Sequence, residues 1–323
     1  MSALATARPL RAVLALLGLA ALFLASLAIG ATGSSPLAGF IDGEPDLLAV
    51  SRLPRTLAVV IAGAGLAIAG LVMQALARNR FVEPATTGTA QWAMLGILVT
   101  TLLWPEAPLV AKTALACVAA FGGTALFLTV AGRLPPTQPM LVPLFGLVYS
   151  GIVEAAATFV GWQADLLQYL AIWMTGEFSG VLRGRYELLW LAGGGVMVAW
   201  WVADRLSILA LGRDTSVGLG LDYAAMMRVG LAIVCVVSAV TVSVVGLVPF
   251  VGLVVPNLVS RIIGDDVRTA VPWVAGGGAA LVLCCDILAR LLRHPYEIPV
   301  GTVLGVVGAL VFLWLLFDRN FRG

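Results

Sequence analysis

The stretch SRLPRTLAVVIAGAGLAIAGLVMQALARNRFVEPATTGT, residues 51–89, begins with Arg52 and Arg55 and then runs from Thr56 to Ala77 without a charged side chain. About 20 apolar residues, each rising 1.5 Å in a helix, cross the roughly 30 Å hydrocarbon core of a bilayer. The segment 55–76 therefore predicts a membrane-spanning helix. Pro54 suits its first turn, where backbone amides have no helical acceptor. From Gly63 to Gly70 the chain reads GAGLAIAG. Side chains this small let helices approach closely, which matters in lipid because hydrophobicity gives little drive for helices to associate.

The pattern repeats in both directions. Further apolar runs fall at 11–31, 86–104, 108–131, 140–162, 187–204, 225–245, 250–263, 271–289 and 299–317, giving about ten spans by length and hydropathy. The run at 250–263 is short and contains Pro256. Composition agrees, with 61% of residues hydrophobic and 11% charged, against about 25% charged in a soluble domain. The short alternating segments of an outer-membrane barrel do not occur in the sequence. Close-packing positions recur at Gly193–Gly195, at Gly276–Gly278, and at Gly301 with Gly305. The chain reads as an all-α polytopic membrane protein, with one transmembrane domain over 1–323. The segment 163–186 has room for one short interfacial helix around LLQYLAIWM, where Tyr169 and Trp173 suit the headgroup region.

Basic residues orient the chain. With both termini in the cytoplasm, most of the 19 Lys and Arg residues face inward, including Arg8, Arg11, Arg78, Arg80, Arg205, Arg213, Arg268, Arg319 and Arg322. Arg8 and Arg11 before an apolar run imitate a signal peptide, but among repeated spans a retained first helix is expected. The net charge of +2 gives no reason to expect a nucleic-acid partner. Cys117, Cys235, Cys284 and Cys285 all lie in apolar runs without a C-x-x-C spacing, so they read as small buried hydrophobes.

Motifs for chemistry are missing from the sequence. The only lysine, Lys112, is not in a P-loop, and His294 has no second histidine to share a metal. GLGLD at 218–222 departs from the G-x-G-D of intramembrane proteases by one residue. Charges inside spans are costly and therefore informative. Glu154 either faces a watery path or sits protonated in a packed interface. Asp286 has Arg290 one helical turn away, and this pair neutralises itself along one face. Arg52, Arg55 and Arg290 fall outside, against the usual bias. They either snorkel to headgroups or form a basic face that steers an acidic protein partner. The element LGRDTSVGLGLD, 211–222, interrupts two apolar runs. Asp214, Thr215 and Ser216 are capping residue types, and Gly218 and Gly220 can end a short helix. By its residues alone it reads as a capped loop.

Three stretches carry a family resemblance. Residues 51–89 resemble the opening motif of the permease family of vitamin B12 and ferric siderophore ABC importers. VGLVPFVGLVVPNLVSRIIGDDVRTAVPW and CDILARLLRHPYEIPVGTVLGVVGALVFLWLL resemble its second and C-terminal signatures. NRFVEPATTGT, WMTGEFSGVLRGRYELL and HPYEIP are similar to the branch that handles catecholate-type siderophores such as petrobactin or anguibactin. Asn257 departs from many relatives, which carry histidine after the proline.

The resemblance implies a ten-helix subunit of the inner membrane, paired with a second permease, identical or paralogous. ABC ATPase subunits bind ATP and Mg beneath it, and this chain itself carries no cofactor. A periplasmic or lipid-anchored binding protein delivers a ferric siderophore, with another iron chelate, heme or cobalamin as the alternative cargo. Arg52, Arg55 and Arg290 match docking positions for that binding protein. Leu211, Gly212, Arg213, Asp214, Thr215, Gly218, Leu219 and Gly220 match the element that inserts into the ATPase. Pro143, Gly146 and Glu154, with Pro256 and Asn257, are expected along the path on helices broken by proline or glycine. The resemblance implies no enzymatic activity in this chain. A secondary carrier or channel, working without an ATPase, is the competing reading.

Overall fold

The computed structural model describes residues 2–29, 48–135, 138, 140–293 and 296–317. His294, Arg319, Arg322 and the side chain of Arg8 lie outside the described residues. The helices are α1 (Ser2–Ala28), α2 (Leu53–Ala77), α3 (Thr89–Leu103), α4 (Leu109–Ala131), α5 (Leu141–Gln163), α6 (Leu167–Thr175), α7 (Trp190–Trp201), α8 (Ala203–Ala210), α9 (Arg213–Gly218), α10 (Tyr223–Val245), α11 (Val251–Ile263), α12 (Val267–Leu291) and α13 (Val300–Phe317). A π-helical turn, Leu48–Arg52, leads into α2, and a 3₁₀ turn, Glu187–Leu189, leads into α7.

Among the described residues, seven helices are long and apolar enough to cross a membrane: α1, α2, α4, α5, α10, α12 and α13. The remaining expected spans fall on α3, α7 and α11, with 15, 12 and 13 residues. Helices of that length reach about 18–23 Å, short of the roughly 30 Å hydrocarbon core. The interfacial helix expected around residues 166–174 is α6.

Helix α2 is the centre of the molecule. It packs on α12, α10, α11 and α7. In its most apolar stretch 78% of residues are buried, against 6% in α1 at the periphery. The GAGLAIAG stretch makes this possible, each glycine facing a different neighbour. A methyl group built on Gly63 would overlap the carbonyl of Gly278 on α12, and one on Gly70 would overlap the backbone of Gly252 on α11. Gly65 faces Ala192 of α7. Gly194, Gly276 and Gly305 were expected to pack in the same way, but nothing lies within 4 Å of the place a methyl group would take on them. A second group, α3, α4 and α5, joins the first through α10.

Two expected helix breaks are absent. Pro143 sits in the first turn of α5, where its missing amide costs no bond, and α5 runs unbroken from Leu141 to Gln163. Helix α11 also continues through Pro256. Proline removes the bond that residue 256 would make to the carbonyl of Gly252. Nε2 of Gln74 on α2 donates to that carbonyl instead, at 3.3 Å. The actual interruption lies earlier, at Gly246–Phe250, where Gly246 has φ 83° and Phe250 has φ 68°.

Substituting Gly70→Ala should destabilise the purified protein by about 1–3 kcal/mol, the usual cost of overpacking. Gly122→Ala, where nothing lies within 4 Å, should not lower the melting temperature, because alanine is the better helix former. Thermal unfolding in detergent checks both.

Candidate functional sites at the two ends of the central helix

Helices α2 and α12 run antiparallel, so the start of α2 meets the end of α12. A buried ionic cluster forms there. Asp286 is 0% exposed and Arg290 is 5% exposed. Nη2 of Arg55 donates to Oδ1 of Asp286 at 2.8 Å, and its Nη1 donates to Glu297 at 2.9 Å. Arg290 donates to the other oxygen of Asp286, completing the expected pair one turn apart. It also donates to the carbonyls of Ser26 and Ile29, at 2.9 and 2.6 Å, and to the Ser26 hydroxyl at 2.7 Å. The Ser26 hydroxyl is 3.0 Å from that of Thr56. One carboxylate thus ties α1, α2 and α12 together.

This geometry corrects one expectation. Arg290 was expected on a docking face, but its guanidinium is buried and turned inward to Asp286 and the end of α1. The helix hides it because Asp286 lies one turn back on the same face. Arg55 is mostly enclosed too, with 11% of its side chain exposed. Arg52 is partly exposed and reaches the carbonyl of Leu27 at 3.4 Å. Among the described residues, the exposed arginines at this end are Arg183, Arg185 and Arg293, with Arg293 lying 5.9 Å from the ring centre of Tyr296. The loop that carries Arg183 is tied to the π-helical turn by its amide, which donates to the carbonyl of Val50 at 3.0 Å.

The LGRDTSVGLGLD element lies at the opposite end of α2. Residues Arg213–Gly218 form the short helix α9, but its start is not capped as expected. Gly212 precedes it with φ 99°, a conformation that glycine adopts without strain. Asp214, Thr215 and Ser216 all lie within the helix. The buried Ser216 hydroxyl turns back to the carbonyls of Ile208, at 2.8 Å, and Gly212, at 2.6 Å, locking α9 onto α8. The guanidinium of Arg78, which follows α2, rests against Gly212. The polar cap belongs to α10, where Asp222 accepts from the amide of Ala225 at 2.9 Å. Leu211, Val217 and Leu219 are large apolar side chains left exposed in and beside this helix. Helices α1 and α13 also have one end here, since Arg261 of α11 covers the ring of Trp314 at 5.0 Å and the far end of α1 meets Arg290.

The expected path residues are not brought together. Gly146 and Glu154 lie on α5, which packs on α3, α4 and α6. Gly146 is buried against the carbonyl of Thr86, and Glu154 is half-buried on a largely exposed helix. Pro256 and Asn257 line a cleft at the α9 end, beside Gln74 and Ser260. The Asn257 side chain donates to the carbonyls of Arg80, at 2.8 Å, and Leu253, at 2.7 Å. It clamps the turn after α2 to α11 rather than pointing freely into the cleft.

Sequence reasoning missed Glu83. It lies in the turn between α2 and α3 and is 2% exposed. Its carboxylate accepts from the amides of Phe250, at 2.9 Å, and Leu253, at 3.1 Å, and so caps the first turn of α11 from another part of the chain. An anion is favoured at that end of a helix. The available signal was a lone carboxylate between Phe81 and Thr89, in a segment otherwise apolar or hydroxylated.

Residues 14–318 match the FecCD transport family. The chain is 40% identical over 297 residues to the petrobactin import permease YclN of Bacillus subtilis, covering 91% of this chain and 94% of that one. It is 38% identical to the petrobactin import permease FatD of Bacillus anthracis, covering 95% and 90%. It is 37% identical to the ferric-anguibactin permease FatD of Vibrio anguillarum, covering 82% and 85%. A solved metal-chelate type ABC transporter in an inward-facing conformation superposes with a TM-score of 0.81 at 23% identity, covering 96% and 99%. That likeness supports the fold.

Replacing Asp286→Asn would leave two arginines with too little counter-charge in a buried site. The expected loss is about 3–5 kcal/mol, as for breaking one side of a buried pair. It should appear as a lower melting temperature and a reduced yield of folded protein, and Glu154→Gln, on the exposed helix, should leave both unchanged.

Proposed function

The chain belongs to the FecCD transport family, and we propose that it is the permease subunit of an ATP-driven importer that brings a ferric siderophore of catecholate type across the inner membrane. The observation that carries this reading is its end-to-end likeness to the petrobactin and anguibactin permeases. The reading places both termini and the α9 end in the cytoplasm, and the Arg55–Asp286 cluster outside.

Each end has a separate task. Outside, a binding protein settles on the basic surface that Arg52 shares with Arg183, Arg185 and Arg293, while the Asp286 cluster holds α1, α2 and α12 in register behind it. Inside, the exposed Leu211, Val217 and Leu219 enter a cleft on an ATPase subunit that binds ATP and Mg. Displacement of α9 passes to α8 through Ser216, and to α2 through Arg78. A second permease, identical or paralogous, completes the path across the exposed face of α5. The chain performs no covalent chemistry. It supplies two helix packings of similar free energy, biased by nucleotide inside and by cargo outside.

Uptake of radiolabelled iron by a deletion strain carrying this gene tests the cargo. Catecholate complexes should enter, and hydroxamates, ferric citrate and cobalamin should not. Uptake by proteoliposomes containing this chain alone, without an ATPase, would replace the reading with a secondary carrier. Leu219→Glu should weaken ATPase binding about tenfold, the loss expected when one buried leucine contact of roughly 1.5 kcal/mol is removed. Its melting temperature should not change, because Leu219 is exposed in this chain.

A further inference from the structure

The interruption at Gly246–Phe250 encloses a small cavity at the depth of Leu66, halfway along α2. It is lined by Leu66, Glu83, Ser238, Thr241, Gly246 and Leu247, among others. About 10 Å³ is free for the centre of a water molecule, which is the room that one water needs. Ser238 is 1% exposed, and its hydroxyl has no hydrogen-bond partner among the described residues. Its neighbours on α10 behave differently. Thr241 donates to the carbonyl of Val237 and Ser243 to that of Ala239, each at 2.7 Å. A buried hydroxyl without a partner is costly, and Ser238 lines a space that opens onto a carboxylate. Glu83 receives the amides of Phe250 and Leu253 at 2.9 and 3.1 Å and that of Gly252 besides, but a carboxylate has about four acceptor positions, so room for one more donor remains.

We propose that this cavity is a binding site for one ordered water molecule. The water accepts from the Ser238 hydroxyl and donates to the Glu83 carboxylate and to the Thr241 hydroxyl oxygen. Three partners are typical for a buried water. A cation fits less well, because the Glu83 carboxylate already faces the positive first turn of α11. The water joins α10, the turn between α2 and α3, and the first turn of α11 across the break between α10 and α11. Non-helical backbone at membrane depth is tolerated only where protein or water satisfies it.

The sign of one stability change separates the alternatives. In a dry cavity, Ser238→Ala removes an unsatisfied polar atom and should raise the melting temperature of the purified chain. In a hydrated one it breaks the bridge and should lower it, which is the expected shift. Ser238→Ala and Glu83→Gln should also be sub-additive, since both disrupt the same water. A raised melting temperature for Ser238→Ala, or strict additivity, overturns the proposal. If Glu83→Gln does not fold, an electron-microscopy map of the unmodified transporter, at a resolution showing other internal waters, decides. A peak within hydrogen-bond distance of Ser238 Oγ supports the site, and empty density there overturns it.

Discussion

In hydrocarbon an amide or carbonyl without a partner costs several kcal/mol, and four buried or partly buried polar side chains, Gln74, Glu83, Asn257 and Arg290, sit where that cost would otherwise fall. Pro256 frees the carbonyl of Gly252, and Gln74 from α2 donates to it. Helix α11 begins inside the bundle, and the carboxylate of Glu83 receives its first amides. The turn after α2 leaves the carbonyl of Arg80 exposed to the core, and Asn257 occupies it. The end of α1 is closed by Arg290, which reaches the carbonyls of Ser26 and Ile29. Each repair comes from a distant part of the chain, so each also fixes one helix against another.

The same constraint links the ends of the molecule. Helix α2 is held by backbone contact at Gly63 and Gly70, and such contacts shift between discrete packings rather than deform gradually. Its first turn is set by the Asp286 cluster, and beyond its last turn Arg78 lies beside Gly212. The α9 element and the Asp286 cluster therefore lie at opposite ends of one buried helix.

Much of this was legible in the residues. The length and apolarity of 55–76, and the small residues within it, led to a buried helix with close neighbours, and α2 is that helix. The spacing of Asp286 and Arg290 gave their ion pair, because residues one turn apart on a helix face each other whatever surrounds them. Other readings failed for a common reason. Proline at 143 or 256 does not say whether its missing amide matters, since that depends on its place in the helix and on whether another chain segment supplies a donor. Nor does an arginine near a span end say whether it points outward. Arg290 turns inward because Asp286 shares its face and Ser26 and Ile29 lie within reach.

The sequence by itself determined the helical, polytopic class and the short element at 211–222, because these follow from local length, polarity and spacing, and its long motifs carried the resemblance to the family. Only the tertiary structure decided that Arg55, Asp286, Arg290 and Glu297 form one cluster, that Ser216 ties the α9 element to α8 while Arg78 lies beside Gly212, and that Glu83 caps α11 beside the Ser238 cavity. Those pairings join residues far apart in the chain. No local rule gives them, because the partner of a buried polar group is whichever complementary group the packing brings within about 3 Å.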